Sequence, residues 1–355
     1  MATYIGLGFD CEDNLNEVYR KPRIFRDRSR KLDTLDDDEL ISRYRMPRHA
    51  IFKLVSLVEA DLVRETQRSV PLSPEIQVMV TLRFLAKGSF QSELADMHGI
   101  VQSSVSIAIR NTIEQLCKVL DLIKFPKDRS SLRQLKEKFH RKFGFPNVLG
   151  CIDGTIVAIK RPPANEEVAY VCRKGYHAIN IQAICDPDMR FLNIVCKWPG
   201  STHDSFIFAN SRIGSHLEAH KDDGWLLGDS GYPCRPWLLT PLAQPQTRAE
   251  ERYNSSHCRT RNTIERAFGL LKSRFRCIHK SAGCLWHGVK QCHKIVYAAA
   301  QLHNFAIDLR LPTPPVDEDD TDDADDTIPA PCHAQDGYRV RRQLIENVFA
   351  KNTCR

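Results

Sequence analysis

The apolar positions change period midway along the chain. Up to about residue 143 they recur every three or four residues, as on one face of a helix. Residues 33–68 read as helical, with IFKLVSLV (51–58) as an apolar stripe. Ser73–Pro74 predicts a helix start, with serine as N-cap and proline at the first helical position. Ile76, Val80 and Phe84 give that helix its apolar face. Phe90, Leu94 and Met97 share a face of a shorter helix that His98–Gly99 would end, glycine suiting a positive-φ turn. Ser103 is then expected to cap a helix with Val105, Ile109, Ile113 and Leu116 buried. After KFPKDRS (124–130) and a helix to Phe143, β-branched runs take over. GCIDGTIVAIKRP (150–162), YHAINIQAICD (176–186), FLNIVCKWPG (191–200) and WLLGD (225–229) read as strands. STHDSFIFAN (201–210), NTIERAFGLLKSRFR (262–276) and HKIVYAAAQLHNFAIDL (293–309) read as helices. Strands followed by helix, strand and helix predict an α/β architecture, a mixed sheet flanked by helices, preceded by an all-α region.

Two short helices around a glycine turn also predict a helix-turn-helix. Its second helix would show Ser104, Ser106 and Arg110 to phosphates or base edges; a plain helical hairpin is the alternative. Charge sharpens this reading. The chain carries +7 overall, yet VDEDDTDDADD (316–326) holds eight acids and no base, so the remainder is near +15. A basic body with an acidic tail points to a polyanion partner, most simply DNA. RKPRIFRDRSRK (20–31), with seven Lys or Arg, could be a nuclear localisation signal or a DNA-contacting arm. Residues 311–335, rich in proline and aspartate, are expected to be disordered, and YRVRRQLIENVFAK (338–351) to form a terminal helix. No apolar run is long enough for a membrane span, and the start lacks a signal-peptide pattern, so the thirteen cysteines are expected to be reduced. Cys284, His287, Cys292 and His293 lie close in sequence, but their spacing fits no usual zinc pattern.

The chemistry sits in acids placed where a charge is costly. Asp153 interrupts a β-branched strand, Asp229 ends an apolar one, and Glu265 lies in a helix between Ile264 and Ala267–Phe268. Two aspartates from neighbouring strands and a glutamate from a packing helix can converge on a divalent cation, and hard oxygen ligands suit Mg²⁺ or Mn²⁺. Phosphodiester hydrolysis uses such a site. Asp204 could join the ligands or simply cap the helix beginning at Ser205. Glu265 could instead pair along its own helix with Arg261 or Lys272. Asp186 and Asp188 read as turn residues.

In combination and order, CIDGT, GSTHDS, LLGDSGYP, NTIERAFGLLKSRF and LHNF resemble the PIF/Harbinger-type DDE transposases, and most of all the nucleases derived from them. The resemblance covers roughly residues 40–310. It implies an RNase H-like DDE catalytic core with Asp153, Asp229 and Glu265 as the acid triad and Asp204 beside them as a metal ligand. Thirty-five residues separate Asp229 from Glu265, as in the DD35E pattern. Related insertion-sequence transposases carry Tyr, Arg, Glu and Lys at fixed helix spacing. Arg261, Glu265 and Lys272 match, with Arg261 and Lys272 gripping phosphates, while Cys258 stands where the tyrosine belongs. The implied layout is an N-terminal basic and helical region (1–70), a helix-turn-helix region (71–125), a nuclease domain (126–310) and an acidic tail (311–355). The implied function is metal-dependent DNA cleavage by a two-metal mechanism. A DNA-binding or adaptor protein that no longer cuts, and an active transposase, are the alternatives. The resemblance also implies a Myb-like nuclear DNA-binding partner. A nuclear protein is expected, with the cytoplasm as a second location and a homo-oligomer as one arrangement.

Overall fold

The computed structural model describes residues 31–64, 71–220, 224–315 and 335–350. The basic run at 20–31, Lys31 apart, and the acidic run at 316–326 lie outside the described residues. The first part of the chain forms α1 (Lys31–Thr34), α2 (Asp37–Tyr44), α3 (Arg48–Leu62), α4 (Pro74–Lys87), α5 (Gln91–His98), α6 (Gln102–Val119) and α7 (Arg129–Phe143). Ser73 caps α4, its hydroxyl accepting from the Ile76 N–H at 3.3 Å. Gly99 ends α5 at φ 62. Ile51, Leu54 and Val58 of α3, Val80 and Phe84 of α4, and Val105, Ile109, Ile113 and Leu116 of α6 are all buried together. Two expectations fail here. Ser103 is not the cap of α6: the turn at Gly99 is so short that the helix begins at Gln102, and Val101 holds the cap position without a side-chain bond. Phe90 and Met97 stay exposed, which leaves Leu94 as the core residue of that trio.

Beyond α7 come β1 (Val148–Ala158), α8 (Glu167–Tyr170), β2 (Ala178–Cys185), β3 (Phe191–Pro199), α9 (Asp204–Ala209), α10 (Arg212–Ala219), β4 (Trp225–Leu227) and β5 (Leu238–Leu239). They are followed by α11 (Arg248–Arg274), α12 (Val289–Asp308) and α13 (Gln335–Leu344). The strands form one five-stranded mixed sheet in the order β3-β2-β1-β4-β5. β1 pairs antiparallel with β2, and β2 with β3, while β4 lies parallel to β1 and β5 parallel to β4. The sequence does not announce β5: two leucines between Pro236 and Pro241 are too short to show a period.

The two faces of β1 are covered by different helices. Successive strand residues point to opposite sides. The Cys151 thiol donates to the Thr260 carbonyl of α11 at 3.2 Å, so the odd-numbered residues of β1 face α11. The even-numbered face turns toward α9, whose first residue packs against Gly154. A capping box starts α11, with the Thr247 hydroxyl and the Glu250 carboxylate each satisfying the other's backbone N–H.

The LHNF motif has a structural task. Asn304 accepts from the Phe191 N–H (2.9 Å) and donates to the carbonyls of Phe191 (2.8 Å) and Leu122 (3.1 Å). One buried amide thus ties the start of β3 and the connection after α6 to α12. At the other end of the chain α13 and the helical turn Ile345–Phe349 after it are docked: Arg341 donates to the Thr240 carbonyl at 2.9 Å, and Phe349 packs on Phe145 and Tyr253. Among the described residues no helix is long and apolar enough to cross a membrane.

Candidate active site

The parallel register of β1 and β4 brings the first two acids together. Cys151 is matched with Leu227, and two residues further along each chain stand Asp153 and Asp229. Asp153 shares the Cys151 face of β1, and Asp229, just past the end of β4, feels the charges of Arg261 and Glu265, so both stand on the side that α11 covers. From α11 comes Arg261, which donates to Asp153 Oδ2 at 2.8 Å and to Glu265 Oε1 at 2.5 Å. One guanidinium therefore joins an acid of the sheet to an acid of the helix. Asp153 and Arg261 are mostly buried, with 16% and 18% of their side chains exposed, and Glu265 is open at 46%. The tight turn after β4 is fixed by Asp229 itself, which accepts from the Gly231 N–H at 3.1 Å. Gly228 keeps the approach slim: a Cβ there would come within 2.9 Å of the Tyr232 ring.

Asp204 arrives from the other face. It is the first residue of α9, and His203 holds the cap position, so the capping role weighed from sequence does not apply. Its carboxylate accepts from Asn180 Nδ2 at 2.8 Å. Gln182 Nε2 donates both to the Asp204 carbonyl (2.8 Å) and to Tyr232 Oη (2.9 Å). A Cβ on Gly154 would lie 2.5 Å from Asp204 Cγ and closer still to both oxygens. The absence of a side chain at 154 is what lets Asp204 sit beside Asp153. Asn180 and Gln182 are site residues that the acid search passed over. Their signal was present: they alternate as polar positions in the otherwise apolar strand INIQAIC.

The electrostatics are those of crowded, dehydrated carboxylates. Burial raises Asp153 to about 7 against the pull of Arg261, and Asp229 and Asp204 add to the rise. Burial likewise raises Asp204 to about 6, with the Asn180 hydrogen bond opposing and Asp229 reinforcing. Asp229 is also raised, by burial first, while Arg261 and the Gly231 amide hold it down. Burial works against the charge on Arg261, yet Asp153, Glu265 and Asp229 together raise its pKa. All four acids thus act on one another or on the same arginine.

The donor set is all oxygen, which suits Mg²⁺ or Mn²⁺ rather than a softer metal. The Oδ1 of Asn180, the Oε1 of Gln182 and the Oγ1 of Thr155 are buried without a hydrogen-bond partner among the described residues, leaving spare oxygen acceptors around the acids. Among the described residues no three His, Cys, Asp or Glu side chains are drawn tightly enough to cage an ion. Arg261 supplies the positive charge between Asp153 and Glu265 instead. Arg261, expected at phosphates, is here paired with these two acids. Lys272 is buried at 8% exposure and lines a neighbouring cavity, and Cys258 is exposed on α11. Ser106 and Arg110 face outward on α6 and Ser104 is half-buried, away from the acids in sequence and in element.

Residues 152–304 match the family model described as "DDE superfamily endonuclease", a span that contains all four acids. The chain is 42% identical over 281 residues to "Putative nuclease HARBI1" of Homo sapiens, covering 78% of this chain and 80% of that protein. It is 38% identical over 328 residues to the Mus musculus protein of the same name, covering 90% and 93%. "Protein ALP1-like" of Arabidopsis thaliana is 29% identical over 293 residues, covering 76% and 70%. No solved structure matches the chain. The five-stranded mixed sheet flanked by helices agrees with the RNase H-like fold of such a domain. With the matched domain spanning the acid site and the relatives aligned along most of their length, the chain belongs to the Harbinger-derived nuclease family of the DDE endonuclease superfamily.

Proposed function

We propose that the protein hydrolyses phosphodiester bonds of DNA with divalent metal, Mg²⁺ or Mn²⁺, held by Asp153, Asp229 and Glu265 with Asp204 in support. The observation that carries this reading is that Asp153 and Asp229 each stand two residues beyond the Cys151–Leu227 match and feel each other's charge, with Arg261 bonded to both Asp153 and Glu265. Metal bound there would lower the pKa of the attacking water and stabilise the departing oxygen. The chain's own residues do the rest. Arg261 neutralises and orients Asp153 and Glu265. Asn180 and Gln182 fix Asp204 through its carboxylate and its carbonyl. The outward-facing Ser106 and Arg110 of α6, with the half-buried Ser104 beside them, supply a second DNA contact as the later helix of a helix-turn-helix. The same reading places the protein in the nucleus beside a Myb-like DNA-binding partner.

The test is incubation of purified full-length protein with end-labelled duplex and Mg²⁺ or Mn²⁺. Wild type should cut, and Asp153→Ala and Asp229→Ala should each lose activity by several orders of magnitude. Cutting that survives Asp229→Ala, or that persists in EDTA, overturns the mechanism. A second reading, DNA binding without cleavage, is favoured by one observation: Arg261 already satisfies Asp153 and Glu265. Footprints without cuts under every metal tried would select it.

A further inference from the structure

A cavity of about 790 Å³ opens beside the acid site and has a chemistry of its own. Its walls include Lys160, Lys174, Lys272 and Lys280 together with Tyr176 and Trp286, and among the described residues no carboxylate lines it. Arg161 also reaches the wall, paired at 2.7 Å with Glu167 outside it. Its location follows from two elements already described. Ile156 and Ala158 follow Gly154 along the even-numbered face of β1, the face that carries Asp204, at about 3.3 Å per residue, and Lys160 lies just past the strand's end. Lys272 lies seven residues beyond Glu265 on α11, about 10 Å along the axis at 1.5 Å per residue. The cavity thus lies further along both elements than the acids, with β1 contributing the face that carries Asp204.

Trp286 is the unusual residue. It is 63% exposed, although the backbone beside it is hydrogen-bonded in place. Leu285 is sewn to the end of β1 on both sides, its N–H donating to the Ala158 carbonyl and its carbonyl accepting from the Lys160 N–H, each at 3.0 Å. Gly283, at φ 81, makes the sharp entry to that segment, and a Cβ on Gly88 at the end of α4 would meet Ala282 Cβ at 2.7 Å. A rigid backbone therefore holds a large ring in solvent. The ring also borders a second cavity of about 340 Å³ that reaches Phe90 and Gln102, at the starts of α5 and α6. Trp286 stands between the acid site and the helical region.

An exposed aromatic held rigidly among lysines is suited to a ligand with a flat π-face and phosphate charge. Within a duplex the base faces are covered by their neighbours, so such a ring can stack only on a base that has left the stack. A protein partner would favour an apolar rim, whereas here the rim is cationic. We propose that this cavity receives one unpaired nucleotide of the DNA strand, its base against Trp286 and Tyr176 and its phosphates near Lys160, Lys174 and Lys280. The proposal rests on the reading of the protein as DNA-acting, and it adds a preference for distorted or single-stranded DNA near the cut.

The experiment reads binding alone. Full-length protein is titrated in EDTA against a labelled plain duplex and the same duplex with one bulged nucleotide, by fluorescence anisotropy. Wild type should bind the bulged duplex more tightly. Trp286→Ala should lose about tenfold on the bulged duplex and little on the plain one, the size expected for one base–aromatic stack. Trp286→Phe should recover most of the loss, which a misfolded variant would not, and Lys280→Glu should weaken both duplexes. Equal binding of both DNAs by wild type, or an equal loss on both with Trp286→Ala, overturns the proposal. So does displacement of the bulged duplex by free dAMP as effective as by the same concentration of bulged DNA, which would assign the cavity to a free nucleotide. Because EDTA removes cleavage from the readout, a failure of the metal mechanism leaves this result standing, and a failure here leaves that mechanism untouched.

Discussion

Gly154→Ala tests whether Asp204 belongs to the acid site through contact. Gly154 lies in the extended strand β1 and is not among the positive-φ glycines, so the backbone accepts alanine without strain. The added Cβ would sit 2.5 Å from Asp204 Cγ. Ordinary carbon contacts begin at about 3.5 Å, so the carboxylate has to retreat by about 1 Å. Such a retreat stretches its 2.8 Å bond from Asn180 beyond hydrogen-bonding range. Losing a hydrogen bond to a charged group costs about 1.5–3 kcal/mol. The lower chain entropy of alanine in the unfolded state returns about 0.4–1 kcal/mol. The expected net loss is about 1–2 kcal/mol, read as a shift in the urea midpoint at constant slope. In an Asp204→Ala background the clash has no partner. There the same substitution should cost less than about 0.5 kcal/mol, giving a coupling of about 1 kcal/mol or more between the two positions. An equal cost in both backgrounds would refute the contact. Metal-dependent cleavage by Gly154→Ala, followed in parallel, should fall with the displaced carboxylate.

Four further outcomes follow. Asp204 has its pKa raised to about 6, so in wild type its contribution to stability is greatest below about pH 4 and is lost as pH climbs to about 6; Asp204→Asn should remove that slope, melt higher by roughly 2 kcal/mol of stability at pH 7 without metal, and cut more slowly. Arg261→Gln should cost about 2–4 kcal/mol at pH 8.5. Because Asp153 is raised to about 7 even with Arg261 present, the Asp153 share of that cost should vanish in urea titrations at pH 5.5, where the folded acid is already neutral; a cost independent of pH would contradict the pairing. Asn304→Ala strands the Phe191 N–H and two carbonyls and should cost about 3 kcal/mol in thermal unfolding without altering metal dependence. Arg110→Ala, on the exposed face of α6, should weaken duplex binding uniformly across sequences and reduce the slope of log K against log salt by about 1.

Much of this architecture was legible in the chain, for reasons that differ by element. The buried faces of α3, α4 and α6 could be read because each repeats its apolar spacing over several turns. The four longer apolar runs could be read because the sheet is covered well enough to bury β2 throughout, leaving Asn180 and Gln182 as its only polar side chains. The two-residue β5 could not, since its leucines are defined only by their pairing with β4. Asp153, Asp229 and Glu265 stood out as acids in apolar surroundings, and their meeting on one side depends on register, which the strands alone set. The path of Arg261 was hidden. Its spacing to Glu265 is visible along one helix, but Asp153 lies 108 residues away and only the packing of α11 on β1 joins them. The support of Asp204 was hidden likewise, because Asn180 and Gln182 look like minor interruptions until α9 is laid over them.

The pairing of Cys151 with Leu227 also decides where this chain can tolerate changes of length. A single residue inserted between that match and Asp153 would turn the carboxylate to the α9 side and leave Arg261 facing its neighbour. The same insertion in the connection between β1 and β2, or between α10 and β4, changes no register and should pass unnoticed. Duplications and deletions that preserve function should therefore collect in the connections, while the count of residues from each matched pair to its acid stays fixed.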